Sequence, residues 1–331
     1  ETNLPWFQGT IFLVMDDWSE PPAYFEFDKT TRLAKNFGSP TAAIGPTLRL
    51  MRHSEFIPKA LLPTYSAYAI IPHLHRIPGV KEIFAHIEDD NIVARPLPPT
   101  AFVTPFGGPQ LYFEPSSISK LWCEKRKKKG IWLASMCRTL NAFIAMHPGL
   151  ADTESSGGSH GHYLKHAPVV YQKSVLRSIV DDPKVALPGL AKSLRQKFRT
   201  GPTVQSDSVY AWHMVARGGT SSDTSLGVIY GFKDEMRLLL LNDRTGEKKL
   251  NVELSRFRDP AKVPMFFTIN DDGWTLCDIG SQALSLLNEV LPVPSRWEHQ
   301  QIGDMAKVLM GDMHTHKQCR EKGEKKWKNL T

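Results

Sequence analysis

Two sets of acidic and amide residues, each directly after a short apolar run, are the residues of this sequence best suited to bind a cation. The apolar runs cover residues 83–87 and 265–269, and both are typical of buried strands. In α/β proteins ligands bind beyond the carboxyl ends of such strands, and carboxylate oxygens are preferred ligands of Mg²⁺. The alternative is an ordinary polar turn, which Asp and Asn also favour. The residues concerned are Asp89 and Asp90 after the first run, and Asn270, Asp271 and Asp272 after the second.

A segment rich in histidine and arginine precedes the first of these runs. Apolar residues recur at helical spacing between residues 70 and 77 and leave His75 and Arg76 on another face. Both side chains can hold an acceptor or a diphosphate, because imidazole and guanidinium groups donate hydrogen bonds to oxygen. The alternative is that they pack against the carboxylates and hold them in place.

The other apolar patterns predict strands that alternate with helices. Further strands are predicted over 10–15 and 47–51, and helices over 131–146, 174–180, 190–198 and 281–291. This alternation favours an α/β fold, a Rossmann-like and mainly parallel sheet with flanking helices and loop insertions. The proline-rich stretch 96–115 is predicted to be an extended surface loop, and 237–254 a hairpin.

The composition is that of a globular protein. With 331 residues, of which 41% are hydrophobic, the chain can build a sizeable core. No apolar run approaches the roughly 18 residues that a spanning helix needs, so a membrane anchor would lie outside this chain. The net charge of +7 suggests an anionic partner. The basic residues concentrate at 125–129 and 317–328 without a known nucleic-acid-binding motif, which argues against nucleic acid.

The four cysteines are dispersed without CxxC spacing, which argues against a structural zinc site. Cys123 and Cys137 can pair, or all four can be free. The cysteines alone therefore leave the redox compartment open.

The order of several short motifs resembles the Stealth family of sugar-1-phosphate transferases. LPTYS at 62–66, HLHRIPG at 73–79 and the strand ending in Asp89-Asp90 are similar to the family's second conserved region. The other matching stretches are the strand and turn at 11–22, RHSEFIP at 52–58, HAP at 166–168, FR at 198–199, YAWH at 210–213 and FFTINDD at 266–272. The resemblance covers most of residues 10–295 and implies a single catalytic domain over 1–331 with a charged tail at 317–331.

The chain also departs from the family pattern. The family's first region, an apolar strand and turn that contribute to the donor site, has no counterpart here. Ile71 stands where the family commonly has an acid, and Glu88 stands where it commonly has Asn. These differences bear on donor binding and on the preference for acceptor or metal.

The resemblance implies transfer of a sugar-1-phosphate from a nucleotide sugar to a hydroxyl of an acceptor glycan or glycoprotein, with release of a nucleoside monophosphate. Such a reaction needs a base, a cation and a phosphate-binding group. His166 matches the family's active-site histidine and is expected to be the base, and Arg199 is expected to clamp phosphate. Mg²⁺ or Mn²⁺ is expected at the acidic and amide residues named above. Substrate binding is expected at His75, Arg76, Asp207 and His213.

Two other function classes remain open from the sequence. A GT-A-type glycosyltransferase would release a nucleoside diphosphate, and an inactive glycan-binding module would release nothing. The family is divided between the Golgi lumen and the bacterial cytoplasmic membrane face, and the sequon at 329–331 with the long insertions favours the lumen. A homodimer is an open alternative for the assembly.

Overall fold

The structure, a computed structural model, describes residues 3–36, 45–125, 130–149, 161–182, 189–198, 203–218, 226–230, 236–241, 247–271 and 297. Its strands are β1 Thr10–Met15, β2 Thr47–Arg52, β3 Ile83–His86, β4 Asn91–Val93, β5 Gln110–Ser117, β6 His162–Leu164, β7 Val169–Gln172, β8 Gly227–Tyr230, β9 Met236–Leu241 and β10 Phe266–Asp271. Its helices are α1 Ala67–Ile70, α2 Lys120–Lys125, α3 Ile131–Met146, α4 Lys173–Asp181, α5 Leu190–Leu194, α6 Ser206–Gly218 and α7 Glu247–Phe257. None of these helices combines the length and apolar character that crossing a membrane requires.

The described strands form four small sheets rather than one continuous sheet. β1 pairs with β2, β3 pairs with β7, β5 lies between β6 and β8, and β10 lies between β4 and β9. The pairings of β1 with β2, β5 with β8 and β9 with β10 are parallel, and the others are antiparallel. The predicted α/β class is therefore confirmed. A Rossmann-like, mainly parallel sheet is not confirmed by these residues.

The main hydrophobic core lies among helices α3, α4 and α6 and strands β5 and β7. On α4, the buried residues Val175 and Ile179 are four positions apart and so share one face. The rings of Phe143 on α3 and Trp212 on α6 pack edge to face, with centroids 5.7 Å apart. Trp212 Nε1 also donates a hydrogen bond to the backbone oxygen of His162 at 2.8 Å. This packing fixes α6 against β6, the strand that leads into the predicted base.

The prediction of a surface loop over 96–115 is wrong for the last part of this stretch, which forms β5. Leu111, Tyr112 and Phe113 are buried there. Pro115 is accommodated because the pairing of β5 with β6 shifts register between Phe113 and Ser117. A strand tolerates proline at such an irregularity, where the ladder of hydrogen bonds is interrupted.

The hairpin predicted over 237–254 is also wrong, because β9 is followed by helix α7. The α7 sequence EKKLNVELSRF is rich in Glu, Lys and Leu, which favour helix. The buried Glu253 forms an ion pair with Arg237 of β9. One turn later, the Phe257 ring packs edge to face on Phe267 of β10, with centroids 4.9 Å apart. Contacts with two strands of the sheet thus stabilise a helix where the local pattern suggested a strand.

Several other predicted elements form close to where the sequence places them. Strands β1, β2 and β10 and helices α3 and α4 agree with the prediction, whereas α5 is shorter than the helix predicted over 190–198. The segment at 70–77 is a single α-helical turn, α1, followed by 3₁₀ helix over Ile71–Arg76. Pro72 lacks the N–H that an α-helix would use there. The helix predicted over 281–291 lies outside the described residues.

A disulfide bond joins Cys123 of α2 to Cys137 of α3, with Cα atoms 5.6 Å apart. The structure thereby chooses between the two alternatives that the sequence left open for this pair. Cys277 and Cys319 lie outside the described residues. Disulfide bonds of this kind are typical of proteins in oxidising compartments.

Candidate functional site

The first antiparallel strand pair places the acidic loop 88–90 beside the loop that carries His166. β3 pairs with β7 so that His86, the last residue of β3, lies opposite Val169. Val169 follows His166 by three residues, and the acidic loop begins two residues after His86. The chain therefore leaves β3 next to the His166 loop.

The second antiparallel pair places the same loop beside the end of β10. The Ile269 N–H donates a hydrogen bond to the backbone oxygen of Asp90 at 3.2 Å, and Asn270 follows Ile269 directly. Asp90 and Asn270 therefore lie at one edge of the β4–β10–β9 sheet. This proximity arises from the antiparallel pairing of β4 with β10 rather than from neighbouring parallel strands.

His166 is exposed in the bend between β6 and β7, and hydrogen bonds connect it to the acidic loop. Thr268 Oγ1 donates to the backbone oxygen of His166 at 2.9 Å. Asn91 Nδ2 lies 3.4 Å from Thr268 Oγ1 and donates to Asp90 Oδ1 at 2.7 Å. One buried threonine of β10 thus links the backbone of His166 to the residue that holds the Asp90 carboxylate.

The electrostatics of Asp90 show that it interacts with His166. Partial burial raises the pKa of the Asp90 carboxyl above its usual value, and the charge of Asp89 acts in the same direction. The hydrogen bond from Asn91 and a positive charge on His166 lower this pKa. Asp90 and His166 are therefore electrostatic neighbours, and a positive charge on His166 favours the ionised form of Asp90.

Asp207, in the first turn of α6, is a second carboxylate that interacts with His166. Burial raises the pKa of Asp207, while backbone N–H groups at the helix start and a positive charge on His166 lower it. Its Oδ1 is buried and has no hydrogen-bond partner in the described part of the chain. A positive charge on His166 thus acts on carboxylates from two different elements.

Tyr171 of β7 is a buried residue near Asp207 that the sequence did not indicate. Its ring lies against those of Phe84 and Tyr210, with centroids 5.4 Å and 4.7 Å away. Burial, followed by the charge of Asp207, raises the Tyr171 pKa well above its usual value, so the hydroxyl stays protonated. Its Oη is buried without a hydrogen-bond partner among the residues described. In the sequence Tyr171 is indistinguishable from an ordinary core aromatic.

His75 and Arg76, predicted to bind substrate, both contact Asp181 at the end of α4. His75 Nε2 lies 3.0 Å from Asp181 Oδ2, and Arg76 Nη2 donates to Asp181 Oδ1 at 2.5 Å. His75 is buried, which lowers its pKa, and Asp181 opposes that shift. These contacts attach the 3₁₀ segment Ile71–Arg76 to α4. Substrate binding by His75 and Arg76 stays a prediction.

His213 of α6 faces His147 at the end of α3, with His147 Nε2 and His213 Nδ1 2.9 Å apart. Burial lowers the pKa of His213 to about 4, so it is neutral at physiological pH. Of the other predicted site residues, Arg199 and Asp272 lie outside the described residues, as does the side chain of Asp271.

The residues at the loop and at the end of β10 fit a magnesium ion by their chemistry. Asp89 is exposed and Asp90 half-buried, so two carboxylates and the Asn270 amide offer oxygen ligands at one edge. Within the described ranges, no three His, Cys, Asp or Glu residues cluster as a complete metal site. Mg²⁺ commonly takes one or two carboxylates and completes its shell with water and substrate phosphate. The donor set present here matches that use.

No family model matches this chain. Comparison with individual proteins shows 32% identity over 118 residues to the capsular polysaccharide phosphotransferase LcbA of Neisseria meningitidis, covering 36% of this chain and 27% of that protein. The exopolysaccharide phosphotransferase CpsY of Mycobacterium leprae is 25% identical over 251 residues, covering 74% of this chain and 41% of CpsY. The capsular polysaccharide phosphotransferase SacB of Neisseria meningitidis serogroup A is 24% identical over 258 residues, 76% of this chain and 43% of SacB. The chain spans less than half the length of each of these relatives. The resemblance to the Stealth family is thereby confirmed.

Proposed function

We propose that this chain, as a relative of the capsular and exopolysaccharide phosphotransferases, transfers a sugar-1-phosphate from a nucleotide sugar to a hydroxyl of an acceptor glycan. The products are a glycan phosphodiester and a nucleoside monophosphate. The observation that carries this proposal is the exposed imidazole of His166 with Asp90 and Asp207 as electrostatic neighbours. The names of the relatives support phosphotransfer to a polysaccharide, and the nucleotide sugar donor is inferred from the motif order.

In this proposal His166 removes the proton of the acceptor hydroxyl. The side chain is exposed, so an acceptor can reach it, and imidazole is suited to accept a proton near neutral pH. As the proton arrives, the new positive charge would be balanced by the carboxylates of Asp90 and Asp207, whose pKa values are lowered by a positive charge on His166. The hydrogen bond from Thr268 holds the backbone of the His166 loop while this happens.

The donor phosphates would bind next to the cation-binding residues of the same edge. Asp89, Asp90 and Asn270 would hold Mg²⁺ or Mn²⁺, with Asp271 and Asp272 as further ligand candidates. The bound cation supplies neutralisation of the charge on the transferring phosphate. Arg199 would bind the phosphate oxygens through its planar guanidinium.

The fate of the β-phosphate tests the reaction class. The full chain is incubated with Mg²⁺, an acceptor glycan and either UDP-GlcNAc or GDP-mannose labelled at the β-phosphate. Label in a glycan phosphodiester, together with free UMP or GMP, supports the proposal. Release of UDP or GDP would instead show a glycosyltransferase. Glycan binding without any turnover would show a binding module.

Replacement of His166 tests the base. His166→Ala should lower turnover on the order of 10²-fold to 10⁴-fold, the usual range for a general base. Donor affinity should change little, because the proton moves only as the new bond forms. Arg199→Ala should weaken both donor binding and turnover, since a phosphate clamp acts before and during transfer. His162→Gln, on the neighbouring strand β6, is the matched control and should retain turnover.

We further propose that the protein works in an oxidising compartment, and of the two predicted locations we favour the Golgi lumen. The Cys123–Cys137 disulfide supports this, because such bonds are rare in a reducing cytosol. Peptide mapping of the protein from its native host would show the bond intact. Two free thiols at these positions would favour the bacterial cytoplasmic face.

A further inference from the structure

Three large aromatic side chains, Trp18, Tyr65 and Phe198, form one exposed surface that the proposed reaction does not use. We call it the aromatic strip. The three residues are 61%, 51% and 55% exposed, respectively. The rings of Tyr65 and Phe198 are nearly parallel, at 12° with centroids 5.3 Å apart, and the Trp18 ring lies 6.5 Å from Tyr65. Contiguous exposed apolar side chains of this size mark interaction sites, whereas scattered ones need no explanation.

Hydrogen bonds fix the backbone of two of the three strip residues. The Tyr65 N–H donates to the backbone oxygen of Lys197 at 2.8 Å, one residue before Phe198. The Trp18 N–H donates to Asp16 Oδ1 at 2.8 Å. Aromatic side chains have few rotatable bonds, so rings fixed in this way lose little entropy when a ligand binds.

Opposite charges flank the two ends of the strip. Beside Phe198, the exposed Arg195 and Lys197 have no acidic partner in the described part of the chain. Beside Trp18 lie Asp16 and Asp17. Hydrogen bonds from Ser19 lower the pKa of Asp16 to about 2, so this carboxylate stays ionised. The strip therefore has a basic end and an acidic end.

We propose that the aromatic strip binds the acceptor glycan away from its reacting end, and that this glycan carries sparse anionic groups such as phosphodiesters. The inference rests on the proposed function and specifies its acceptor. Aromatic faces are electron-rich and attract the polarised C–H groups of a sugar ring. Sugar hydroxyls can donate to the carboxylates at the acidic end, and an anionic group can pair with Arg195 and Lys197 at the basic end.

The opposite charges at the two ends also argue against other ligands that bind aromatic surfaces. A uniform polyanion, such as nucleic acid or an anionic membrane, would be repelled at Asp16 and Asp17. An uncharged glycan would leave the basic end without a counterpart.

Binding of dextran phosphate to the full chain, measured by calorimetry, tests the proposal, with unmodified dextran as the uncharged probe. Dextran phosphate should bind more tightly than dextran. The double variant Tyr65→Ala/Phe198→Ala should weaken dextran phosphate binding on the order of 10-fold or more, as expected when central aromatic contacts are removed. The double variant Arg195→Gln/Lys197→Gln should reduce binding of dextran phosphate towards that of dextran and diminish its salt dependence.

Matched controls exist for both kinds of variant. Phe106, 85% exposed and outside the strip, controls for loss of an exposed aromatic ring through Phe106→Ala. Lys59, exposed in the 3₁₀ segment Lys59–Leu61, controls for loss of a surface charge through Lys59→Gln. Both control variants should bind dextran phosphate as the unmodified chain does. The substitutions at Tyr65, Phe198, Arg195 and Lys197 are all at exposed positions, so these variants should unfold at a temperature close to that of the unmodified chain.

Equal binding of dextran and dextran phosphate, or unchanged binding by the Tyr65/Phe198 variant, would overturn the proposal. So would tight binding of vesicles of phosphatidylcholine and phosphatidylglycerol that depends on the strip. In turnover assays the strip variants should raise KM for the acceptor much more than KM for the nucleotide sugar. Failure of the chain to release UMP or GMP would refute the proposed function. Glycan binding by the strip would still be decided by the calorimetry, which needs no turnover.

Discussion

The hydroxyl of Thr268 donates a hydrogen bond to the backbone oxygen of His166 at 2.9 Å and so joins two segments 102 residues apart in the chain. Thr268 is fully buried in β10, and Asn91, which holds the Asp90 carboxylate, lies 3.4 Å from the same hydroxyl. The candidate base and the candidate metal ligand are therefore positioned by one strand residue. Thr268 lies neither in the HAP motif of His166 nor in the strand that ends at Asp89-Asp90, but in the separate FFTINDD stretch.

Replacement of Thr268 by valine keeps the side-chain shape and removes the hydroxyl. Thr268→Val should lower the free energy of unfolding by about 1 kcal/mol, because the hydrogen bond to the backbone oxygen of His166 is lost. Turnover should fall more than donor affinity, since the base is displaced from its position. Urea unfolding and steady-state kinetics measure the two effects. Thr268→Ser retains the hydroxyl and is the control, and a valine variant as stable and active as the serine variant would contradict the assigned link.

Turnover should depend on a divalent cation, and removal of the cation by EDTA should abolish it reversibly. Asp90→Asn and Asp271→Asn should each raise the Mg²⁺ concentration needed for half-maximal turnover, because each removes a carboxylate that the cation prefers over an amide. Asp259→Asn, an exposed acid that contacts Lys262, is the control and should leave this concentration unchanged. Near-normal rates of both site variants at limiting Mg²⁺ would refute the metal assignment.

Tyr171 and Tyr210 differ in what their hydroxyl groups contact, and this predicts opposite effects on stability. Tyr171 Oη has no partner in the described residues, so Tyr171→Phe should leave the free energy of unfolding unchanged or raise it. Tyr210 Oη accepts a hydrogen bond from the Gln172 N–H at 2.6 Å, so Tyr210→Phe should cost about 1–3 kcal/mol. Urea unfolding of both variants tests this, and a Tyr171→Phe variant as unstable as Tyr210→Phe would show that the Tyr171 hydroxyl has a partner.

Stability should fall as the solution becomes acidic, because buried neutral histidines resist protonation. Burial lowers the pKa of His73 and of His213 from the usual 6.5 to about 4. Below pH 6.5 the unfolded chain binds protons that the folded protein does not bind until about pH 4. The stability from these residues is therefore fully present above pH 6.5 and is lost between 6.5 and about 4, on the order of 3 kcal/mol for each.

The variant His73→Leu measures the contribution of His73 to this pH dependence. Both ring nitrogens of His73 are buried without a hydrogen-bond partner in the described ranges, so leucine removes a titrating group without breaking a bond. The decrease in unfolding free energy between about pH 7.5 and pH 4.5 should be smaller than in the unmodified chain. Lys59→Gln is the control and should keep the full decrease. Parallel pH profiles for His73→Leu and the unmodified chain would refute the contribution of His73.

Local patterns predicted the elements whose side chains repeat over several turns or alternate along a whole strand. Helices α3 and α4 have an apolar face of their own, β1 is apolar after Thr10, and β2 carries the buried Leu48, Leu50 and Met51. Strand β4 spans only Asn91–Val93, too short for any periodic signal, and forms through its pairing with β10. Part of helix α7 was predicted as a strand because the contacts that stabilise the helix are not visible in the local sequence. These contacts join Glu253 to Arg237 and Phe257 to Phe267.

The candidate site divides in the same way. Asp90 and His166 were predicted because each belongs to a short motif with a recognisable order. Thr268 and Tyr171 were missed, since a buried threonine and a buried tyrosine in strands are ordinary core residues until their neighbours are known. The sequence therefore indicates which groups carry the chemistry, whereas the residues that position them emerge from strand pairing.

The pairing of β4 with β10 also determines when the site can exist during synthesis of the chain. Asn91 and Thr268, which meet across this pair, are 177 residues apart. At typical rates of translation, roughly 10 to 35 s pass between the appearance of the first strand and that of its partner. During that interval β4 is an unpaired edge that other strands can join. A nascent chain that has not yet reached β10 therefore lacks Thr268, the residue that links the backbone of His166 to Asn91.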